Sequence, residues 1–374
     1  MCSCAKDTSA VCGENDVISS VKKHYGKDSQ TSKCVISGVN TLTCAPSVPK
    51  HVREAFAEVH EEVTLRYYGC GSAIPEAVEG CSILDLGSGS GRDCFALSKL
   101  VGPSGRVVGV DMTEEQLNCA KTYIDYHTQK FGYSQPNVEF VFGYIEKLGE
   151  AGLKEGSFDL IISNCVINLS PDKKSTLREA FRVLKEGGEF YFSDIYTDTV
   201  LSEEARKDQF LWGECFSGAL LWKELYQLAA EIGFSSPRLV TAKLADTSMY
   251  GDKLGSARFT SVTYRLFKLP AQGASNPCRV SYTGGIIGSP DSVVFDYNTL
   301  FKKDEEKVVD SELASILKTS RFKQYFSITD APDATPETKD PSILLSQRVL
   351  RHQRNHVAPN NAASGPRLHV TYKR

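Results

Sequence analysis

Twelve cysteines are spread over the 374 residues of this chain, and two of them sit where a thiol could do chemistry. Cys165 closes the apolar run FDLIISNC, where a buried strand gives way to the loop VINLSPDK. Cys215 lies in LWGECFSGALLW, between Gly213 and Gly218, which would allow a close approach. Thiolates are nucleophiles and the ligands of soft metal and metalloid centres. Cysteine is also among the most buried residue types, so packing is the ordinary reading for most of the twelve. On position alone both readings stay open for Cys165 and Cys215. Cys81, Cys94 and Cys119 fall on strand or helix faces and read as packing, and Cys278 starts a strand without an evident partner. Cys2, Cys4 and Cys12 mark a thiol-bearing arm, and Cys34 is undecided. A general base is not evident beside Cys165. His24, His51 and His60 precede the strands, His127 is on a helix, and His352, His356 and His369 are near the end of the chain.

A second constellation is ILDLGSGSGRD, between a strand and a helix. Gly87, Gly89 and Gly91 allow a sharp turn and close backbone approach to a ligand, and the helix that follows offers its N-terminal amides. Twenty residues beyond Gly91 the next strand ends in Asp111, the acidic residue expected to bind ribose hydroxyls. The spacing is G-x-G-x-G rather than the G-x-G-x-x-G of dinucleotide folds, and Asp85 stands two residues before the first glycine. A carboxylate there opposes a pyrophosphate but suits the ammonium of an amino acid.

The elements that must position these residues follow from the hydrophobic pattern. CSILDLG, GRVVGVD, NVEFVFG, FDLIISNC and GEFYFSDIY read as strands. RDCFALSKLVG, the single long helix TEEQLNCAKTYIDYHTQKFG with Thr113 as its N-cap, and DKKSTLREAFRVLKEGG alternate with them. That alternation predicts a doubly wound α/β sheet. Residues 202–233 read as helix in two pieces, and PRLVTAKLAD with ARFTSVTYRLFKL as an antiparallel hairpin at the sheet edge. Upstream, DVISSVKKHYG predicts an amphipathic helix with Asp16 as N-cap. VPKHVREAFAEVHEEV predicts another, running on toward Gly69, with Val52, Phe56 and Val59 on one face.

Four regions result: an N-terminal arm and helix over 1–48, the α/β domain over 49–270, a small α+β C-terminal domain over 271–330, and a disordered tail over 331–374. In the third, CRVSYTGG, SVVFDY and TLFKK read as strands, SELASILKTS as a helix, and the run DEEK as a solvated loop. A net charge of −3 carries no bias toward nucleic acid or membranes. No apolar stretch approaches the ~18 residues that span a bilayer, and the first residues lack the apolar core of a secretory signal. A cytoplasmic, reducing location is therefore expected, and a disulfide framework is not.

The glycine loop with Asp85 before it, together with the reversed edge hairpin, resembles the S-adenosylmethionine site of class I methyltransferases. That resemblance implies a Rossmann-like doubly wound sheet with an antiparallel edge strand. It makes GYIEKL the adenine segment, with Ile145 packing on the ring and Glu146 nearby. It puts Met112 beside Asp111 in the cofactor site, and Asn164 and Cys165 next to the sulfonium. A thiol where a base would serve oxygen or nitrogen suggests a soft acceptor. Trivalent arsenic keeps a lone pair, needs no base and takes two or three sulfurs, and Cys215 is the best candidate partner for Cys165.

The stretches VPKHVREAFAEVHEEVTLRYYGCG, SILDLGSGSGRD, GYIEKLGEAG, SNCVINLSPDK, YFSDIY and LWGECFSGAL together resemble the arsenite S-adenosylmethionine methyltransferases over about residues 15–330. The resemblance implies mono- and dimethylation of As(III), bound by Cys165 and Cys215 with Cys70 as a further ligand, in arsenic detoxification. It implies that Cys44 and Cys70 are the other two functional thiols, as ligand or as a disulfide pair. It implies that Tyr68 and Gly69 touch the cofactor. Arsenite would arrive as a thiol conjugate, glutathione or thioredoxin would restore the cysteines, no permanent metal is implied, and a monomer is the default. Two alternatives are a small-molecule C- or O-methyltransferase of the same fold and a non-enzymatic thiol protein that binds metalloids.

Overall fold

Short apolar segments with buried residues on both faces build the centre of this protein, as a parallel sheet covered by helices requires. In the computed structural model, residues 14–26, 48–69, 72–271 and 276–336 are described. The arm, the loop bearing Cys34 and Cys44, Cys70 itself and the tail from 337 lie outside the described residues.

Helix α1 (Glu14–Gly26) comes first, followed by α2 (Lys50–Ala57) and α3 (Glu61–Leu65). The α/β region then runs β1 (Ser82–Leu86), α4 (Arg92–Val101), β2 (Arg106–Asp111), α5 (Glu114–Thr122), α6 (Ile124–Lys130), β3 (Val138–Phe142), β4 (Phe158–Asn164), α7 (Lys173–Val183) and β5 (Leu184–Thr197). It continues through α8 (Glu203–Lys207), α9 (Gln209–Gly213), the two-residue β6 (Leu220–Leu221), α10 (Trp222–Ile232), β7 (Arg238–Leu244) and β8 (Phe259–Phe267). The sheet order is β3-β2-β1-β4-β5-β8-β7, with β6 paired to β5. β1 to β5 are parallel, while β8 runs antiparallel to both β5 and β7, which is the expected reversed hairpin. The chain changes its direction of travel across the sheet between β1 and β4, so a switch-point crevice opens at their C-terminal ends.

Two expected helices are each broken in two, and one cluster explains both breaks. The segment after Pro49 stops at Ala57 because His60 leaves helical dihedrals (φ −59°, ψ 141°) and caps α3, its Nδ1 accepting the Glu62 N–H at 3.2 Å. The helix after Thr113 breaks at Tyr123, whose ring stacks on His60 at 4.1 Å between centroids. His127 closes the cluster by accepting the His60 N–H at 3.1 Å. Thr113 is the N-cap residue, yet its side chain makes no capping bond; the Asp111 carboxylate accepts the Thr113 N–H at 2.8 Å. Asp16 lies inside α1 rather than at its cap.

The C-terminal part is α+β as expected, with two strands more than the pattern showed. β9 (Cys278–Tyr282) is the middle of an antiparallel sheet, between β12 (Glu306–Val309) and β13 (Phe326–Asp330). β10 (Ser292–Asp296) and β11 (Thr299–Lys302) form a hairpin, and α11 (Ser311–Thr319) packs with them. The DEEK run is therefore only half loop, since Glu306 and Lys307 pair with Ser281 and Val280. A buried ion cluster fastens this part to the main sheet. Fully buried Arg265 on β8 lies 2.9 Å from fully buried Glu189 on β5 and 2.9 Å from Glu76, and Arg321 also pairs with Glu189.

Candidate active site

The glycine loop turns where strand β1 ends. Gly91 adopts φ 87° as the N-cap of α4, and a Cβ there would meet the Phe140 ring at 2.6 Å. A left-handed, close-packed position of this kind admits glycine. Asp111 pins the loop from the end of β2, its Oδ2 accepting the Gly89 N–H at 2.8 Å. The ribose-binding carboxylate expected from sequence thus also shapes the backbone beside it.

A cleft of about 1000 Å³, its open mouth included, lies over this loop. Tyr68, Asp85, Gly87, Gly89, Asp111, Met112, Ile145, Glu146, Asn164 and Cys165 all line it. Gly69 and Gly91 support the wall instead. Gly69 is buried, and a Cβ on it would collide with Tyr67 and sit 3.1 Å from Asn164 Nδ2. Sequence reasoning missed Ile18, Val21 and Tyr25 of α1, along with Tyr67, Asp93 and Gln116, which also line the cleft. The signal for α1 was present as its apolar stripe, but no local feature showed what the stripe covers.

The wall is acidic and dry. Burial, reinforced by Asp93, pushes the Asp85 carboxyl up to about 8, and the Cys94 thiol donates to it at 3.2 Å. Asp93 is itself paired with buried Arg92 at 2.6 Å, and the Arg92 guanidinium lies over the Tyr67 ring. Asn164 Nδ2 donates to Tyr67 Oη at 2.7 Å. Buried Ser88 Oγ and Gln116 Oε1, both on the cleft residues, have no hydrogen-bond partner among the described residues. Unsatisfied buried polar atoms facing a cleft mark groups that a polar ligand completes. An amino acid with a nucleoside fits this set: a carboxyl ready to ionise for an ammonium, Asp111 for hydroxyls, and Ile145 for an aromatic base.

At the far end of the cleft stand the thiols. Cys165 is disulfide-bonded. Cys215 Sγ is 3.1 Å from the Cys165 carbonyl oxygen. Both residues adopt positive φ, 58° at Cys165 and 65° at Cys215, a region that non-glycine residues rarely occupy. Asn168 laces the two loops together, its Nδ2 donating to the Ile195 carbonyl at 2.6 Å and to the Cys215 carbonyl at 3.2 Å. Buried Asp194 accepts the Asn168 N–H at 2.9 Å, and Trp212 Nε1 reaches the Leu169 carbonyl at 3.2 Å. The structure thus brings Cys165 and Cys215 together at the cofactor cleft. Cys81, Cys94 and Cys278 are buried, and Cys94 also bonds Asp85. Cys44 and Cys70 lie outside the described residues.

The strand order, the pinned glycine loop and the ligand cleft define a class I methyltransferase that uses S-adenosylmethionine, and a methyltransferase-domain family model matches residues 77–233. The arsenite methyltransferase C-terminal domain matches residues 275–357. The chain is 52% identical to the arsenite methyltransferase of Homo sapiens, over 88% of each chain. It is 47% identical to that of Aquipseudomonas alcaligenes, over 82% of this chain and 89% of the relative. An arsenic(III) S-adenosylmethionine methyltransferase structure from Chlamydomonas reinhardtii superposes with a TM-score of 0.73 at 42% identity, covering 79% of this chain and 100% of the other. This chain belongs to the arsenite methyltransferase family. Among the described residues no helix is long and apolar enough to cross a membrane, and no group of three His, Cys, Asp or Glu side chains is placed to hold a metal ion.

Proposed function

We infer that this protein transfers methyl groups from S-adenosylmethionine to trivalent arsenic held by Cys165 and Cys215, giving mono- and dimethylated arsenicals. The observation that carries this reading is the approach of Cys215 Sγ to within 3.1 Å of the Cys165 backbone at the end of the cofactor cleft. Asp85 would receive the amino acid's ammonium, Asp111 its ribose, and Ile145 and Glu146 its base. When bound, S-adenosylmethionine supplies an electrophilic methyl on a sulfonium, and thiolate-bound arsenic supplies the lone pair that takes it. The chain's own contribution is placement: β1, β2 and β4 fix one partner, while Asn168 and Asp194 fix the loops that carry the other. Well-oriented reactants of this kind gain up to about 7–11 kcal/mol over free encounter.

No base is required by this step, and among the described residues no histidine lines the cleft. The disulfide at Cys165 must be reduced before arsenic binds there, because thiolates are the ligands. That need supports a thiol reductant of the glutathione or thioredoxin type and a reducing compartment such as the cytoplasm. Cys70 is proposed as the third arsenic ligand, and Cys44 as its partner in restoring the cycle.

The test is to incubate the protein with arsenite, S-adenosylmethionine and a thiol, and to separate the arsenic species formed. Cys165→Ser and Cys215→Ser should each abolish methylated arsenic while S-adenosylhomocysteine still binds. Substantial methylated product from either variant refutes the clamp. Intact transfer to a small organic acceptor with no arsenic product would instead select a C- or O-methyltransferase.

A further inference from the structure

Cys215 is held in a left-handed conformation, and such a residue persists only when its surroundings over-determine it. Two of the groups that do so come from α1. Tyr25 Oη donates to the Gly213 carbonyl at 2.8 Å, and His24 Nε2 lies 3.6 Å from Glu214 Oε1. His24 also packs flat against Gly213, where a Cβ would meet the imidazole at 2.9–3.1 Å. Glu214 is buried, and Tyr250 Oη donates to its other oxygen at 3.1 Å. The turn Gly213–Cys215 is thus gripped from one side by the end of α1.

The same helix forms one wall of the cofactor cleft. Ile18, Val21 and Tyr25 line it, and Gln116, another lining residue, donates to the Tyr25 carbonyl at 3.0 Å. The Tyr25 ring sits edge-on to that of Tyr68, a further lining residue, at 5.1 Å, and His24 does so at 6.1 Å. Whatever fills the cleft touches α1, and α1 touches the turn that presents Cys215.

We propose that α1 couples the two ligands: filling the cofactor cleft fixes α1, and His24 and Tyr25 then hold the Gly213–Cys215 turn so that arsenic binds more tightly. His24 and Tyr25 are positioning residues, since they act through Gly213 and Glu214 rather than on the reacting atoms. The coupling is reciprocal, so arsenic bound at Cys215 tightens the methyl donor by the same factor. The inference rests on Cys215 being an arsenic ligand.

The experiment titrates the full, thiol-reduced protein with arsenite, with and without saturating S-adenosylhomocysteine, reading tryptophan fluorescence from Trp212 and Trp222. For the unaltered protein the affinity for arsenite should rise about 5- to 10-fold with S-adenosylhomocysteine present. In His24→Ala and Tyr25→Phe the ratio of the two affinities should shrink to less than about twofold, whatever the affinity measured without S-adenosylhomocysteine. Tyr25→Phe keeps the ring and its packing, and thermal melts of both variants verify folding. A purely structural role would weaken arsenite equally in both titrations. The proposal is overturned if the unaltered protein shows no gain, or if both variants keep it. Cys215→Ser is the separate control: undiminished arsenite binding by that variant removes the ligand assignment, whatever the coupling shows.

Discussion

Binding of S-adenosylhomocysteine to this protein should release close to one proton between about pH 5.5 and 7. Asp85 is the source. Burial, then the neighbouring Asp93, holds its carboxyl protonated up to about 8, and the nearby Arg92 guanidinium and Cys94 thiol offset this only in part. In that window the ligand's α-amino group is an ammonium, its ordinary value being about 8. An ammonium arriving beside Asp85 favours the ionised carboxylate, so the complex holds one proton fewer than its free components. The sign follows: affinity rises with pH and levels off near 8, where Asp85 is already ionised in the free protein. The limiting slope is about 1.4 kcal/mol per pH unit, or tenfold in Kd, so about 30-fold separates pH 5.5 from pH 7. Titration calorimetry in two buffers of different ionisation enthalpy measures the proton count directly. Asp85→Asn, which cannot ionise, should bind more weakly and release no proton. Zero release by the unaltered protein, or an unchanged pH slope in Asp85→Asn, refutes the assignment of this carboxyl to the ammonium.

Two further outcomes concern stability. Glu189→Gln leaves the buried Arg265 and Arg321 guanidiniums facing a neutral group, and a denaturant melt should show a loss of about 3–5 kcal/mol. His127 is buried with its pKa lowered by desolvation to about 4, so its contribution is complete above the unfolded value of about 6.5 and is lost as pH falls toward 4. The loss should reach about 2–3 kcal/mol between neutral pH and pH 4, and His127→Gln should flatten that part of the profile.

What was legible in the sequence was whatever depends on local pattern. The alternation of apolar runs and amphipathic helices gave the sheet and its reversed hairpin, and the spacing of Gly87, Gly89, Gly91 and Asp111 marked the cofactor end of it. Cys165 stood out because it ends a strand. Features that depend on contact between distant segments were not visible. Nothing near Tyr123 or His60 in the chain shows that each breaks its helix to stack on the other, and only the fold sets His127 beside them. β12 and β13 become strands by pairing with β9, not by their own alternation. The cleft wall from α1 was equally hidden, because an apolar stripe of Val17, Val21 and Tyr25 reads the same whether it covers a core or a ligand. Nothing in the stretch around Asn168 shows a role for it; its bonds to Ile195 and Cys215 exist only once β5 and the 212–218 turn fold against it.

Four non-glycine residues among those described have positive φ, and two of them are Cys165 and Cys215. The backbone at either position would be relaxed by glycine, on the order of 1 kcal/mol for each residue. Other terms outweigh that relief: Cys165 carries a disulfide and both side chains are buried in one apolar cluster, so glycine at either position should lower thermal resistance despite the freer backbone. The backbone at the proposed arsenic clamp is kept in its unfavourable conformation by the packing around it, against its own local preference.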